Sequence, residues 1–398
     1  MFSKIEECIE DLKQGKMVIV VDDENRENEG DIVFLAEYAT YENVNFMTKY
    51  AKGLICVPMS DEREENLGLL AMTMKNTDLK GTAFTVTIDS KIGTTGISVQ
   101  DRLQTIIDLA DFEKTENDFT KPGHIFPLVA KKKGVLEREG HTEAIVDLAI
   151  IAGAKPIGVI CEILKDDGTM ARLADLEIFA EEHQLKIISI EDLIVYRKKM
   201  ETLMKVVAEA PMITSRGEFK IIGFSNEIDD KEHIALIKGN IENQENILVR
   251  VHSECLTGDV FASMRCECGT QLGRAMEEIE KNGSGVILYL RQEGRGIGIT
   301  NKIKAYALQS KGSDTVDANL KLGFEEDLRD YAVASQMLKA LNVKSIRLLS
   351  NNPKKNQGLI KYGTKINSVE SLEVGIHELN KNYMETKKNR MGHTLKTI

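Results

Sequence analysis

Three cysteines fall within one short stretch, RVHSECLTGDVFASMRCECGTQLG, as Cys255, Cys266 and Cys268. Thiolates are strong ligands for zinc, and structural zinc sites usually close with four protein ligands. With three cysteines in the segment, one position stays open for water, whose pKa a three-ligand zinc lowers to about 7. That is hydrolytic chemistry. The same residues also fit a closed structural site with His252 as fourth ligand, or a set of unligated reduced thiols. Cys8, Cys56 and Cys161 are scattered and read as small buried hydrophobes.

Downstream, RQEGRGIG directly follows the buried run GVILYL. Gly294, Gly296 and Gly298 let backbone N–H groups approach an anion, and Arg291 and Arg295 supply charge. The glycine spacing is not that of a dinucleotide-binding fingerprint. LSNNPKK ends a strand with Lys354 and Lys355, a second place to hold phosphate, and between the two lies DLRDY, where Asp327 and Arg329 are expected to start a helix. An Asp at that position is also an ordinary cap.

The N-terminal half offers a different chemistry. VDDENRENEGD follows the strand-like MVIVV. Such a run is either a solvated acidic loop or a carboxylate site for a hard cation such as Mg²⁺, and Arg26 within it suits a phosphate held beside the metal. KPGHIFPL contributes His124, and LEREGHTEAIVDL brings Arg138, His141, Thr142 and Glu143 to a helix start, where backbone N–H groups favour phosphate.

The elements that must position these residues read as two domains, which 398 residues also favour. The boundaries expected are 1–200, a linker over 201–212 that contains a Pro, and 213–398. In the first domain MVIVV (17–21), TAFTVTID (82–89) and IGVICEIL (157–164) read as strands. TEAIVDLAIIAGAKP reads as a helix closed by Gly153 and Pro156. Phe2, Ile5, Ile9 and Leu12 form the apolar stripe of an N-terminal amphipathic helix. The second domain shows strands FKIIGFS, HIALIKG, ILVRVHSE, GVILYL and SIRLLS, and helices near 270–281, 300–310 and 328–341. The fold class expected is α+β or α/β, with a mixed sheet in each domain. A net charge of -11 argues against nucleic acid as partner. No apolar run approaches the roughly 20 residues of a membrane span, and the N-terminus lacks the features of a signal peptide, so a cytoplasmic protein without disulfides is expected.

From about residue 205 to the end, the blocks RVHSECLTGD…RCECG, RQEGRGIG, DLRDY and NNPKK closely resemble GTP cyclohydrolase II. The resemblance implies that Cys255, Cys266 and Cys268 bind Zn²⁺, whose water opens the guanine imidazole ring with loss of formate, while the triphosphate loses pyrophosphate. It implies a GTP site made of Arg250, Val251, His252, Ser253, Glu254, Gln271, Glu293, Gly294, Arg295, Thr315, Ser350 and Lys355. It makes Asp327 the proton acceptor, Arg329 the nucleophile at the α-phosphate, and Tyr306 a group steering ring opening. A guanidinium with a pKa above about 12 is a poor nucleophile, so charge stabilisation at phosphorus is the alternative for Arg329.

Residues 3–199 resemble 3,4-dihydroxy-2-butanone 4-phosphate synthase through DDENRENEGD, GTAFTVTID, TTGIS…DR, PGHIFPL, REGHTEA and GVICEI…DDGTMAR. Here the resemblance implies Mg²⁺ or Mn²⁺ on Glu27 and His141, the same metals accompanying GTP at the other site. D-ribulose 5-phosphate would lie against Arg26, Glu27, Asp31, Arg138, Glu139, Gly140, His141, Thr142 and Glu162, with His124 and Glu162 catalytic. Both halves then serve riboflavin biosynthesis, and a homodimer is expected because both families usually form one. Two rival classes are a zinc-stabilised nucleotide-binding module without turnover, and an enzyme with one live and one decayed site.

Overall fold

Short β-branched runs build a seven-stranded sheet in each half, and the computed structural model describes residues 2–396. Contacts divide the chain into Met1–Tyr196 and Arg197–Ile398. The first unit contains β1 (Val18–Val21), β2 (Gly30–Leu35), β3 (Cys56–Met59), β4 (Ile88–Ser90), β5 (Phe119–Val129), β6 (Gly158–Glu162) and β7 (Lys186–Ser189). Their order is β4-β5-β3-β6-β2-β1-β7. The sheet is mixed: β1 pairs antiparallel with β2 and parallel with β7, and β3 pairs parallel with β5 and antiparallel with β6.

Apolar residues in β1 and β2 are continuous rather than alternating because both sheet faces are covered. Ile19, Ile32, Phe34 and Val57 pack on one side with Leu176, Leu103 and Ile106. Val18, Val20, Val33 and Ile160 pack on the other with Leu12, Ile145 and Leu193. The helix His141–Ala152 on this second face ends at Gly153, whose φ of 75° is the left-handed conformation glycine adopts without strain.

Local boundaries differ from the sequence reading at three places in this unit. The N-terminal helix begins at Ile5, so Phe2 lies outside it and is exposed. Of residues 82–89, only the end joins a strand, Ile88–Ser90; Phe84 and Thr85 make isolated bridges. Residues 157–164 contract to Gly158–Glu162.

The second unit contains β8 (Met204–Thr214), β9 (Gly217–Asn226), β10 (Ile234–Lys238), β11 (Ile247–Ser253), β12 (Gly285–Leu290), β13 (Ile346–Leu349) and β14 (Ile366–Glu370), in the order β14-β13-β11-β12-β10-β9-β8. β11 runs parallel to β12 and β13, while β8, β9 and β10 are antiparallel neighbours. Most of the segment expected as a linker is thus the edge strand β8. Its exposure and Pro211 disguise it in the sequence, but an edge strand needs neither a buried face nor every ladder donor. The helix expected at 328–341 begins later, at Ala332, whose N–H donates to Asp330 Oδ1 at 2.8 Å. Asp327 and Arg329 therefore sit in the loop before it. Among the described residues, no helix is long and apolar enough to cross a membrane.

Candidate active sites

In the second unit a cavity of about 750 Å³ opens around β11, β12 and β13, and Cys255, Cys266 and Cys268 are in its wall. Cys255 follows the end of β11, and Cys268 begins the helix Cys268–Asn282. The ligand atoms of all three cysteines lie within 4.8 Å of one another, with Cys255 Sγ 3.6 Å from Cys266 Sγ. Glycine makes this approach possible: a Cβ on Gly258 would stand 3.0 Å from Cys266 Sγ and 3.1 Å from Cys255 Sγ. Hydrogen bonds from Cys266 and Cys268, with the nearby Lys302 ammonium, push Cys255 strongly toward thiolate. The donor set fits a thiophilic divalent metal.

His252 is not in that cluster. Its Nε2 is 3.1 Å from both carboxylate oxygens of Asp259. Asp259 also accepts from the Tyr289 hydroxyl at 2.9 Å and from the Cys255 N–H at 3.0 Å. This carboxylate braces the loop that carries the first cysteine. His252 is not among the residues whose ligand atoms converge, and its Nε2 lies on Asp259, so the closed four-ligand site is not what the described residues form.

Arg250, Arg295, Arg329 and Lys355 bring their cations into the same cavity. Arg250 donates to Gln271 Oε1 at 2.8 Å and to the Leu349 carbonyl at 3.0 Å, and its buried Nε has no partner. Gly294 and Arg295 both have φ of 62°. Glycine adopts this left-handed conformation readily, whereas at Arg295 it stores strain. The turn aims Arg295 at Thr315 Oγ1, 3.1 Å away. Glu293 Oε2 accepts from the Leu256 N–H at 2.7 Å, and its Oε1 accepts from Lys302 at 2.8 Å, tying the glycine turn to the thiol loop. Tyr306 lines the cavity with its hydroxyl 3.0 Å from Thr257 Oγ1.

Arg329 faces both this cavity and a smaller one of about 280 Å³ that Asp327 lines. Asp327 accepts from Arg329 Nε at 2.7 Å and from Nη2 at 2.5 Å. Burial alone would lower the Arg329 pKa, but Tyr331 and Asp327 raise it above its ordinary value. Burial, then Arg250 and Arg329, push Lys355 well below the ordinary lysine value, while its Nζ donates to the Val251 carbonyl at 2.5 Å.

His252, Ser253, Glu254, Glu293, Gly294 and Ser350 join the cavity wall as well. Val251 is the exception: strand alternation turns its side chain into the core beside Val249, and only its carbonyl meets the site. Of the cations read as phosphate partners, Arg291 instead donates to Glu254 at 3.1 Å and Lys354 to Glu326 at 3.3 Å, and neither lines the cavity. Lys302 and Asp259 were not singled out in the sequence. Lys302 stands i, i-4 from Tyr306 on the helix Gly298–Gln309, a spacing that puts both on one face.

In the first unit, Asp22, Glu27 and His141 offer ligand atoms within 4.8 Å of one another. Asp22, absent from the sequence-based ligand set, terminates β1 and organises the acidic loop. It accepts from the N–H of Glu27 at 3.1 Å and of Glu29 at 2.9 Å, and from Arg26 at 2.9 Å. Arg26 also lies 3.1 Å from Glu27, so its charge balances the acids. His141 begins its helix with Nδ1 4.0 Å from Glu27 and 3.9 Å from Asp31. Burial lowers its pKa and leaves Nε2 without a partner, as suits a neutral imidazole ligand. Thr142 is buried one residue on, and Gly140 precedes both, where a Cβ would fall 2.3 Å from Arg138 Nη1. Arg138 donates to Glu143 at 2.6 Å and to Thr82 Oγ1 at 2.8 Å; Glu139 is exposed.

Strand register relates the remaining residues. Asp31 pairs with Glu162 across β2 and β6, and Cys56 pairs with Ile160 of β6 and Phe126 of β5. Two residues along, Leu54 and His124 are level with Glu162, in agreement with the Leu54 N–H donating to Glu162 Oε2 at 2.8 Å. Asp31, Glu162 and His124 thus share one row and one face, with Glu162 and His124 about 10 Å apart at two inter-strand spacings. Burial, reinforced by Glu162 and Glu27, holds the Asp31 carboxyl well above its ordinary value. His124 Nδ1 is 2.7 Å from Asp89 Oδ2, and Gly96 closes over the pair so tightly that a Cβ would lie 2.5 Å from Nδ1. Asp89 carried no signal of its own within TAFTVTID.

The 3,4-dihydroxy-2-butanone 4-phosphate synthase family model matches residues 6–196, and that of GTP cyclohydrolase II matches residues 204–371. The chain belongs to the family of bifunctional riboflavin biosynthesis proteins that join these two enzymes. Riboflavin biosynthesis protein RibBA of Bacillus mycoides is 55% identical over 395 residues, 99% of this chain and 100% of that protein. RibBA of Bacillus cytotoxicus is 53% identical over the same shares. Among solved structures, RibBX of A. baumannii, a two-domain 3,4-dihydroxy-2-butanone 4-phosphate synthase, is 35% identical. It superposes with a TM-score of 0.67 over 92% of this chain and 99% of that one. The two halves carry 3,4-dihydroxy-2-butanone 4-phosphate synthase and GTP cyclohydrolase II activities, a lyase and a hydrolase of riboflavin biosynthesis.

Proposed function

We propose that the second unit's cavity is the GTP site, with Zn²⁺ on Cys255, Cys266 and Cys268, and that the first unit's row is the D-ribulose 5-phosphate site, with Mg²⁺ or Mn²⁺ on Glu27, His141 and Asp22. The observation that carries the reading is the convergence of three thiols and a set of buried cations in one cavity. Zinc supplies an activated water at neutral pH when bound. The chain's own groups do the rest. Arg250, Arg295 and Lys355 bind the triphosphate, and Glu254, Gln271 and Ser350 orient the nucleoside. Tyr306, held by Thr257, donates a hydrogen bond during ring opening. Asp327 accepts a proton and fixes the Arg329 guanidinium, which keeps its own proton and stabilises charge at the α-phosphate rather than attacking it.

In the other site, Arg138 and the N–H groups opening the helix His141–Ala152 hold the sugar phosphate. His124, oriented by Asp89, and Glu162 move protons on the sugar carbons, and the divalent cation supplies charge stabilisation at the adjacent oxygen. A homodimer in the cytoplasm completes the reading; the exposed apolar side chains of Leu70, Met72, Met74 and Leu79 support self-association. Formate release from GTP alone and from ribulose 5-phosphate alone, with zinc content measured on the same sample, tests the two assignments. Loss of only the GTP reaction in Cys266→Ser is expected. Equal loss of both would overturn the separation of the sites.

A further inference from the structure

The GTP cyclohydrolase II family model stops at residue 371, yet the chain after it returns to the cavity. The helix Lys381–Asn389 and the residues following it contribute Tyr383, Lys387, Met391 and His393 to the wall. This segment is fastened at three points. Arg390 pairs with Asp314 and Asp317, which flank Thr315. Thr394 N–H donates to the Asn351 carbonyl at 2.9 Å, beside Ser350. Lys387 Nζ lies 2.5 Å from Glu267, the residue between Cys266 and Cys268.

Lys387 therefore enters a space already shared by Arg250, Arg295, Arg329 and Lys355. Glu267 accepts one of its three donors, and its charge is felt at Lys355 and at His393. Burial, then Lys387, Arg329, Lys355 and Arg295, lower the His393 pKa to about 3, so this imidazole is neutral among the cations. Its buried Nε2 has no partner, nor does Arg295 Nη1. Arg250, Arg295, Arg329 and Lys387, with the Lys355 amine and the unpartnered polar atoms beside them, suit a ligand with several negative charges.

We propose that the segment 378–396 is a wall of the nucleotide site and that Lys387, with His393 beside it, binds the polyphosphate, so that the segment sets the preference for a nucleoside triphosphate over a monophosphate. This rests on the assignment of the cavity to GTP. Lys387 is a binding residue here, and the bond to Glu267 also couples polyphosphate binding to the loop of the cysteines.

The test measures binding of GTP and of GMP to the full chain by calorimetry, with zinc content and ribulose 5-phosphate turnover as controls for folding. Lys387→Met is expected to weaken GTP by ~10-fold or more while leaving GMP within about 3-fold, the loss of a charged hydrogen bond. Lys387→Arg is expected to restore most of the preference. Because Lys387→Met strands Glu267, the double variant Glu267→Gln/Lys387→Met is measured beside it. A preference that returns in the double variant, or equal weakening of GTP and GMP with loss of zinc, would overturn the proposal in favour of a structural role. Lys355→Met separates the two readings. If it reduces the GTP preference and Lys387→Met does not, only the role of Lys387 fails; if neither does, the assignment of the cavity fails.

Discussion

The two sites solve opposite electrostatic problems. In the first unit, Asp22, Glu27, Asp31 and Glu162 crowd the end of one sheet, which with burial holds the Asp31 carboxyl well above its ordinary value, while the charge of Arg26 balances Asp22 and Glu27. In the second, cations crowd a cavity of about 750 Å³, and Lys355 is the group whose charge is suppressed. An acidic row suits a cation and a small sugar phosphate. A cationic cavity suits a substrate that carries several charges itself. The difference teaches that one chain with a net charge of -11 can bind two phosphates through local convergence, whatever its overall sign.

Removing one proposed metal ligand from each site should give the largest and cleanest contrast. Cys266→Ser is expected to reduce formate release from GTP beyond the ~100-fold typical of losing an outer-shell partner, with ribulose 5-phosphate turnover unchanged. His141→Ala should do the reverse to a similar extent. Separate formate assays on each purified variant read both, and cross-inhibition would break the contrast. Next in size is Arg329→Lys, which loses the bidentate pair with Asp327. A drop of about 10- to 100-fold in kcat for GTP is expected, the value of one or two charge-assisted hydrogen bonds. An unchanged kcat would remove Arg329 from the chemistry.

Gly258→Ala sharpens the comparison by geometry alone. Its Cβ would crowd two thiols, so zinc retention under dialysis should fall several-fold while the first unit is untouched. The smallest expected effect is in acid. Asp101 accepts from the Thr94 N–H at 2.9 Å and the Thr94 hydroxyl at 2.8 Å, which lowers its folded pKa to about 2. A depressed carboxyl stabilises the fold above its ordinary value of 3.8, and that contribution is lost as pH falls toward 2. The gap in urea midpoint between wild type and Asp101→Asn should therefore narrow between about pH 4 and pH 2, and a constant gap would reject the assignment.

What the sequence made legible was chemistry written locally. Cys266 and Cys268 are two residues apart, and the glycine turn directly follows its strand, so neither needed the fold to be recognised. Asp22 was harder to single out because it is one acid among several, and only its place at the end of β1 sets it apart. Asp89 and Lys387 contact partners distant along the chain, His124 and Glu267, which no periodicity reveals. β8 was missed because exposed strands lack the apolar alternation by which strands are recognised. Asp330 rather than Asp327 braces the helix start because a short loop before Ala332 carries both acids, and composition does not rank them.

The row that joins Asp31, Glu162 and His124 has a consequence for how this enzyme tolerates change in length. Its members come from three strands and are aligned by backbone pairing. A single residue inserted within β6 would slip the register by one and send Glu162 to the face now taken by Cys161, away from His141. Insertions in the loops that follow the strands leave the row aligned. Length variation in working relatives should accordingly be confined to the loops, with the segments Gly30–Leu35 and Gly158–Glu162 fixed in length.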